Sequence, residues 1–240
     1  MNIVDAVLII FILLVGVLGF KNGFINTVIS SIGLIVVFVL SFYLKNPIAE
    51  WLSLNLPFFN FWGAFKDVSI LNVVIYQVIA FFIVFAVLMT IYGIVVKITN
   101  VIEKILKYTI ILGIPSKILG FLVGLIEGYF LTGVILIVFS LPVLNFEQVK
   151  DSSVRSFIFE KTPIMGNMLK STSNAYDEIM NLRDEFSSNT KKDEFNKSSF
   201  EILLKYKIMS TDYAEKLVNS GKLKIDGASE IINKYKESGD

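Results

Sequence analysis

Cysteine and histidine are both absent from the 240 residues. Disulfide bonds are therefore excluded, as are the thiolate and imidazole ligands of the usual transition-metal sites. Neither charge is in excess: 22 basic side chains stand against 21 acidic ones, a net charge of +1. No basic groove for nucleic acid is expected, and no nucleic-acid partner is assigned. No nucleophile, metal-ligand or phosphate-binding constellation stands out. The expectation is a non-enzymatic protein without catalytic residues, metal or cofactor.

Apolar sequence is abundant. Hydrophobic residues make up 54% of the chain and the mean hydropathy is +0.68. Nearly all of this lies before Leu144, and the charges crowd after it. The chain divides on this basis into a membrane part, residues 1–144, and a soluble helical tail, residues 145–240. Four runs can cross a bilayer, whose apolar core takes about 20 helical residues. They cover residues 3–20, 24–44, 70–96 and 118–141. The first is read as a span and not as a cleaved signal peptide. An acid, Asp5, stands ahead of it where a basic segment is needed, and Lys21-Asn22-Gly23 leads straight into more apolar sequence. So short a connection predicts an antiparallel hairpin.

The stretch from Lys45 to Ser69 carries Trp51, Phe58, Phe59, Phe61 and Trp62, interrupted by Pro47 and Pro57. It is expected to lie on the membrane surface, with a shallow re-entrant segment as the alternative. Residues 98–118 read as an interfacial amphipathic helix. In the tail, periodicity predicts helices over 166–186, 195–208 and 211–220, the last capped by Ser210 and stopped by Gly221. A final helix, capped by Asp226, carries Ile231, Ile232 and Tyr235. The expected fold class is all-α: a four-helix transmembrane bundle with an interfacial amphipathic helix and a small helical soluble C-terminal tail.

In the fourth run, Gly120, Gly124, Gly128 and Thr132 recur every fourth residue. On a helix they share one shallow groove into which a second helix can settle closely. Gly16, Gly19 and Gly23 lie near one face of the first run and suit the same use. The six glycines are assigned to helix packing, either within the four helices or between copies of them. Asp5 and Glu127 are the acids in or beside the spans, and both are candidates for an intramembrane charge site. For Asp5 the alternatives are a relay group or an anion at a helix N-terminus, where the dipole favours it. For Glu127 they are a relay group, a partner for Lys21, Lys97 or Lys117, or a neutral acid bonded to backbone. An intramembrane aspartyl protease needs two facing aspartates, and Asp5 is the only Asp in any span.

Asp5, the apolar run after it, Gly16, Gly19 and Lys21-Asn22-Gly23-Phe24 together resemble the opening of the colicin V production (CvpA) family. The run from Leu119 to Gly128 is similar to that family's glycine-rich last helix, and Asp151 to Pro163 resembles the polar stretch that succeeds that helix in the family. Two positions depart from the pattern: Glu127, where a basic residue is commoner, and Asn22, where Arg or Lys is. The resemblance covers about residues 1–165. It implies an integral inner-membrane protein tied to colicin V or toxin-like production and secretion, to biofilm formation and to envelope homeostasis. Some family members carry an extracytoplasmic serine protease after the four helices. With no histidine, a Ser-His-Asp machine cannot be built here.

Basic residues set the expected orientation. Lys21, Lys97, Lys104, Lys107 and Lys117 fall on one side, and Lys45, Lys66, Lys150 and Arg155 on the other. The small excess favours both termini outside the cytoplasm. The leading functional expectation is support of secretion or envelope homeostasis through partner contacts, within the lipid bilayer, as a homo-oligomer or with other envelope proteins. The alternative is an oligomeric small transporter or channel subunit with Glu127 in the pathway.

Overall fold

The computed structural model describes residues 2–61, 68–106, 114–141, 144, 147–185 and 192–237. Among them every regular element is an α-helix. Four are long and apolar enough to cross a membrane: α1 (Ile3–Asn22), α2 (Phe24–Asn55), α3 (Leu71–Leu106) and α4 (Ile114–Phe139). Their outer surfaces carry exposed aliphatics such as Leu14, Ile32, Val87 and Ile126. In water these would form a large apolar patch; in a bilayer they meet lipid. The helices pack in the order α1–α4–α2–α3, so the first span lies against the last.

Two helices run well past their expected ends. The second span was expected to end at Leu44, before a loop containing Pro47. Helix α2 instead runs through Pro47 to Asn55. A proline inside a helix removes one backbone donor, but packing outweighs that loss here. Ala49, Leu52 and Ser53 are buried, Ser53 shares a hydrogen bond with the Tyr213 hydroxyl, and Glu50 pairs with Lys216 at 2.6 Å. The chain after α2 is then held by α3: Tyr76 donates to the Pro57 carbonyl at 2.7 Å, and the Asn72 side chain bonds the backbone of Phe59 on both sides. Residues 62–67, the other end of the expected surface loop, lie outside the described residues.

Helix α3 likewise continues past the expected end at 96. Residues 98–106, read from sequence as the start of a separate surface helix, extend it without a break. The middle of that stretch, 107–113, lies outside the described residues, and Ile114–Ile118 form the first turn of α4.

The tail is built from α5 (Glu147–Lys150), α6 (Ser153–Glu160), α7 (Pro163–Glu185), α8 (Lys192–Lys205), α9 (Thr211–Asn219) and α10 (Ala228–Glu237). Ser210 caps α9 through the Tyr213 amide, and Gly221 comes just past its end with a positive φ of 72°. These helices do not bury their apolar faces only on one another. One core joins Ile70, Leu71, Val73 and Val74 of the α3 start with Ile179, Phe200, Leu203, Leu217 and Ile232 of the tail. A second joins Leu8, Phe38, Phe81 and Phe130 of the bundle with Ile158, Phe159 and Leu169. A chain boundary at 144/145 therefore cuts through continuous apolar packing.

Removing Gly166–Asp240 would strip cover from Ile70, Leu71, Val73 and Val74, all fully buried. At about 1.5–3 kcal/mol for each exposed aliphatic, the truncated chain is expected to lose most of its membrane yield or to aggregate in detergent. A monodisperse truncated bundle at normal yield on size exclusion would contradict the shared core.

Candidate functional site

The six glycines meet at the α1–α4 seam. A methyl group built on Gly19 would overlap the Gly120 carbonyl oxygen and stand 3.0 Å from the Gly124 Cα. One on Gly120 would overlap the Gly19 carbonyl oxygen. One on Gly124 would lie 2.8 Å from the Val15 oxygen, and one on Gly128 3.1 Å from the Ile12 Cα. These neighbours are backbone atoms, which cannot swing aside; at Gly128 the Val15 Cβ, 3.0 Å away, stands among them. Gly16 is opposed by the side chains of Phe121 and Leu125. This is the small-residue packing that lets helices associate in lipid, where apolar burial supplies no drive. The packing lies within one chain.

Gly23 closes the seam at the α1–α2 turn. Its φ of +78° is a conformation that side-chain-bearing residues rarely adopt. Helix α2 therefore starts one residue after α1 stops. Ser116 Oγ of α4 accepts from the Phe24 amide at 3.1 Å, and Thr27 donates to the Gly19 and Gly23 carbonyls at 3.1 and 2.7 Å.

At the other end of α1, Asp5 is fully buried and accepts from three donors. The Asn2 amide bonds Oδ2 at 2.9 Å. Ser152 Oγ and the Val154 amide bond Oδ1 at 2.6 and 3.1 Å. Asn2 and Asp5 form a reciprocal capping box on α1. Ser152 is the N-cap of α6, and its oxygen also accepts from the Arg155 amide. One carboxylate thus organises the N-termini of two helices far apart in the chain. An ionised carboxylate, which only accepts, suits three converging donors.

Arg155 extends this cluster. It is 7% exposed. Its Nε donates to Ser140 at the end of α4, and one terminal nitrogen donates to Ser173 and to both oxygens of Asp177, at 2.8, 2.8 and 2.7 Å. The guanidinium also lies over the Phe159 ring. This group was missed in the sequence. Its signal is that Arg155 is one of only two arginines among 22 basic residues, and arginine is favoured where a cation must be buried with several bonds.

Glu127 stands midway along α4 and is half-buried. Ser31 of α2 donates to its Oε2 at 3.0 Å. Among the described residues its hydrogen-bond partner is this serine and not Lys21, Lys97 or Lys117. The structure does not bring Asp5 and Glu127 together: Asp5 sits at the tail end of the bundle and Glu127 in its middle. A second close approach, also missed in sequence, lies beside Glu127. Gly33 of α2 faces the Tyr92 ring of α3, whose hydroxyl donates to the Ile29 carbonyl at 2.9 Å. Among the described residues no group of three acidic side chains gathers to hold a metal ion.

Four apolar helices locked by a glycine seam, with a tail fused to one end, define a multi-pass membrane protein. Residues 4–163 match the profile of the Colicin V production protein family. Two thirds of the chain is covered, and the chain belongs to that family. No curated protein and no solved structure matches it.

Gly19→Ala forces α1 and α4 apart and is expected to cost about 1–3 kcal/mol, whereas Gly93→Ala, with open space around it, is expected to be neutral or to gain up to about 1 kcal/mol. Thermal melts in detergent separate them; equal melting temperatures would refute the seam. Asp5→Asn turns an acceptor into a donor against other donors. It is expected to lower the melting temperature by about 5 °C or more, and an unchanged melt would show that the Asp5 bonds carry no stability.

Proposed function

We propose that this protein is a non-enzymatic inner-membrane component that supports secretion, of colicin V or toxin-like products, or envelope homeostasis and biofilm formation, by presenting its tail to envelope partners. The observation that carries this reading is the fusion of tail and bundle through Asp5, Ser152 and Arg155. A membrane anchor joined rigidly to a soluble element suits force-bearing or positional contacts, which a flexible tether would not transmit. The Asn2 side chain donates to the Gln148 carbonyl, so N-terminus and tail lie at one end, and we place that end outside the cytoplasm. Homo-oligomers of this unit, or complexes with other envelope proteins, are the working form.

A second reading is favoured by Glu127: a carboxylate in mid-span, half-buried against Ser31, suits a proton or cation path in an oligomeric transporter or channel. Glu127→Gln separates the two. The amide oxygen still accepts from Ser31, so the fold is retained while the charge is lost. In a deletion strain complemented at matched membrane levels, the anchoring role predicts that Glu127→Gln restores secretion and biofilm to wild-type levels. Loss of both at normal protein level would overturn it in favour of transport.

A further inference from the structure

A cleft of about 510 Å³ opens between the far end of α2 and the turn joining α8 to α9, with Asn46, Pro47 and Gln77 on the membrane side and Lys207, Ser210 and Thr211 on the tail side. Its size is that of a ligand site. Its height is set by helix geometry. Helix α2 starts one residue after α1 ends, and about 20 residues of rise cross the apolar core. Helix α2 therefore leaves that core near Lys45, and the cleft lies at the headgroup level of the leaflet beside the tail.

The cleft has a charge imbalance. Lys45 Nζ donates to Gln77 at 2.5 Å and to Asn46 at 3.1 Å, both neutral. Lys207 is exposed, and among the described residues its ammonium has no hydrogen-bond or ion-pair partner. The acid on the wall, Glu50, is already paired with Lys216. Lys205, also on the wall, is paired with Glu178. Lys207 thus stands on the cleft wall, and Lys45, just outside the cleft, reaches its Gln77 and Asn46; among the described residues neither cation has a carboxylate partner. The conformation of Lys207 adds a separate observation. It is the only non-glycine residue among those described with a positive φ, at 53°. It stands two residues past the end of α8, in the turn where glycine is the unstrained choice, yet a lysine stands there.

The cleft shares Gln77 and Ile208 with a narrow apolar notch walled by Phe42, Phe81, Phe82, Val134 and Ile137 of the spans. Phe82 is exposed to the lipid side. A headgroup cavity with unanswered positive charge, leading to an apolar surface that faces the acyl region, fits an amphiphile better than a free anion.

We propose that this cleft binds one anionic phospholipid, its phosphate between Lys45 and Lys207 and its acyl chain along the notch between α2, α3 and α4. The site would tie the tail to the leaflet it stands on. Each lysine near a membrane surface is expected to weaken binding about fivefold when removed. The test is native mass spectrometry and thermal melting of the full chain in detergent with added phosphatidylglycerol, phosphatidylcholine or inorganic phosphate. Phosphatidylglycerol is expected to be retained as a single adduct and to raise the melting temperature; the other two are not. Lys207→Gly relieves backbone strain, so it is expected to fold at least as well while needing about fivefold more phosphatidylglycerol for the same shift. Lys45→Gln should act in the same direction. Equal effects of phosphatidylglycerol and phosphatidylcholine, an equal shift with inorganic phosphate, or undiminished binding by Lys207→Gly would each overturn the proposal.

Discussion

Helices α1 and α4 approach so closely that a methyl group does not fit between them, and much of the molecule depends on that approach. In lipid the apolar effect does not draw helices together, so close van der Waals contact and bonds between them must do so. The glycines permit the contact, and Gly23 lets α2 begin at once beside it. With α1 laid antiparallel along α4, the start of the chain and the end of the last span come to the same height. Asp5 is then next to Ser152, Ser140 is next to Arg155, and these bonds join the tail to the bundle.

That placement explains the character of Asp5. A carboxylate in a membrane helix invites a reading as a proton carrier. Here its three donors come from the cap of its own helix and the cap of α6, and they suit an anion held in place. Glu127 differs. It has one serine donor and stands half-buried in mid-span, so it keeps acceptor capacity that Asp5 has used. The two acids were paired in the sequence as one class of candidate, and their surroundings separate them.

The four spans were legible because long apolar runs have few folded alternatives, and the glycine spacing was legible because period four on a helix means one face. The helix at 211–219 was legible from Ser210 and Gly221. What the sequence hid were features that depend on contacts distant along the chain. Pro47 looked like the end of a helix because nothing local shows Tyr213 and Lys216 waiting to hold Ser53 and Glu50. The break expected near residue 97 came from Lys97 closing the apolar run and from the mixed sequence after it, but helix continuity depends on backbone bonds that charge does not interrupt. Arg155 and Asp177 stand on different helices, a pairing no local spacing announces. Ile70 to Val74 looked like the opening of a span, and they are the floor of the tail's core.

Hydrogen exchange measured on the full chain in lipid nanodiscs under increasing denaturant tests the unity of bundle and tail most directly. Amides of the first turns of α3 and of α8 and α9 share one core, so they are predicted to lose protection together, at one free energy of opening. Exchange of α8 and α9 at a markedly lower denaturant concentration, with α3 still protected, would contradict the account and make the tail a separate module.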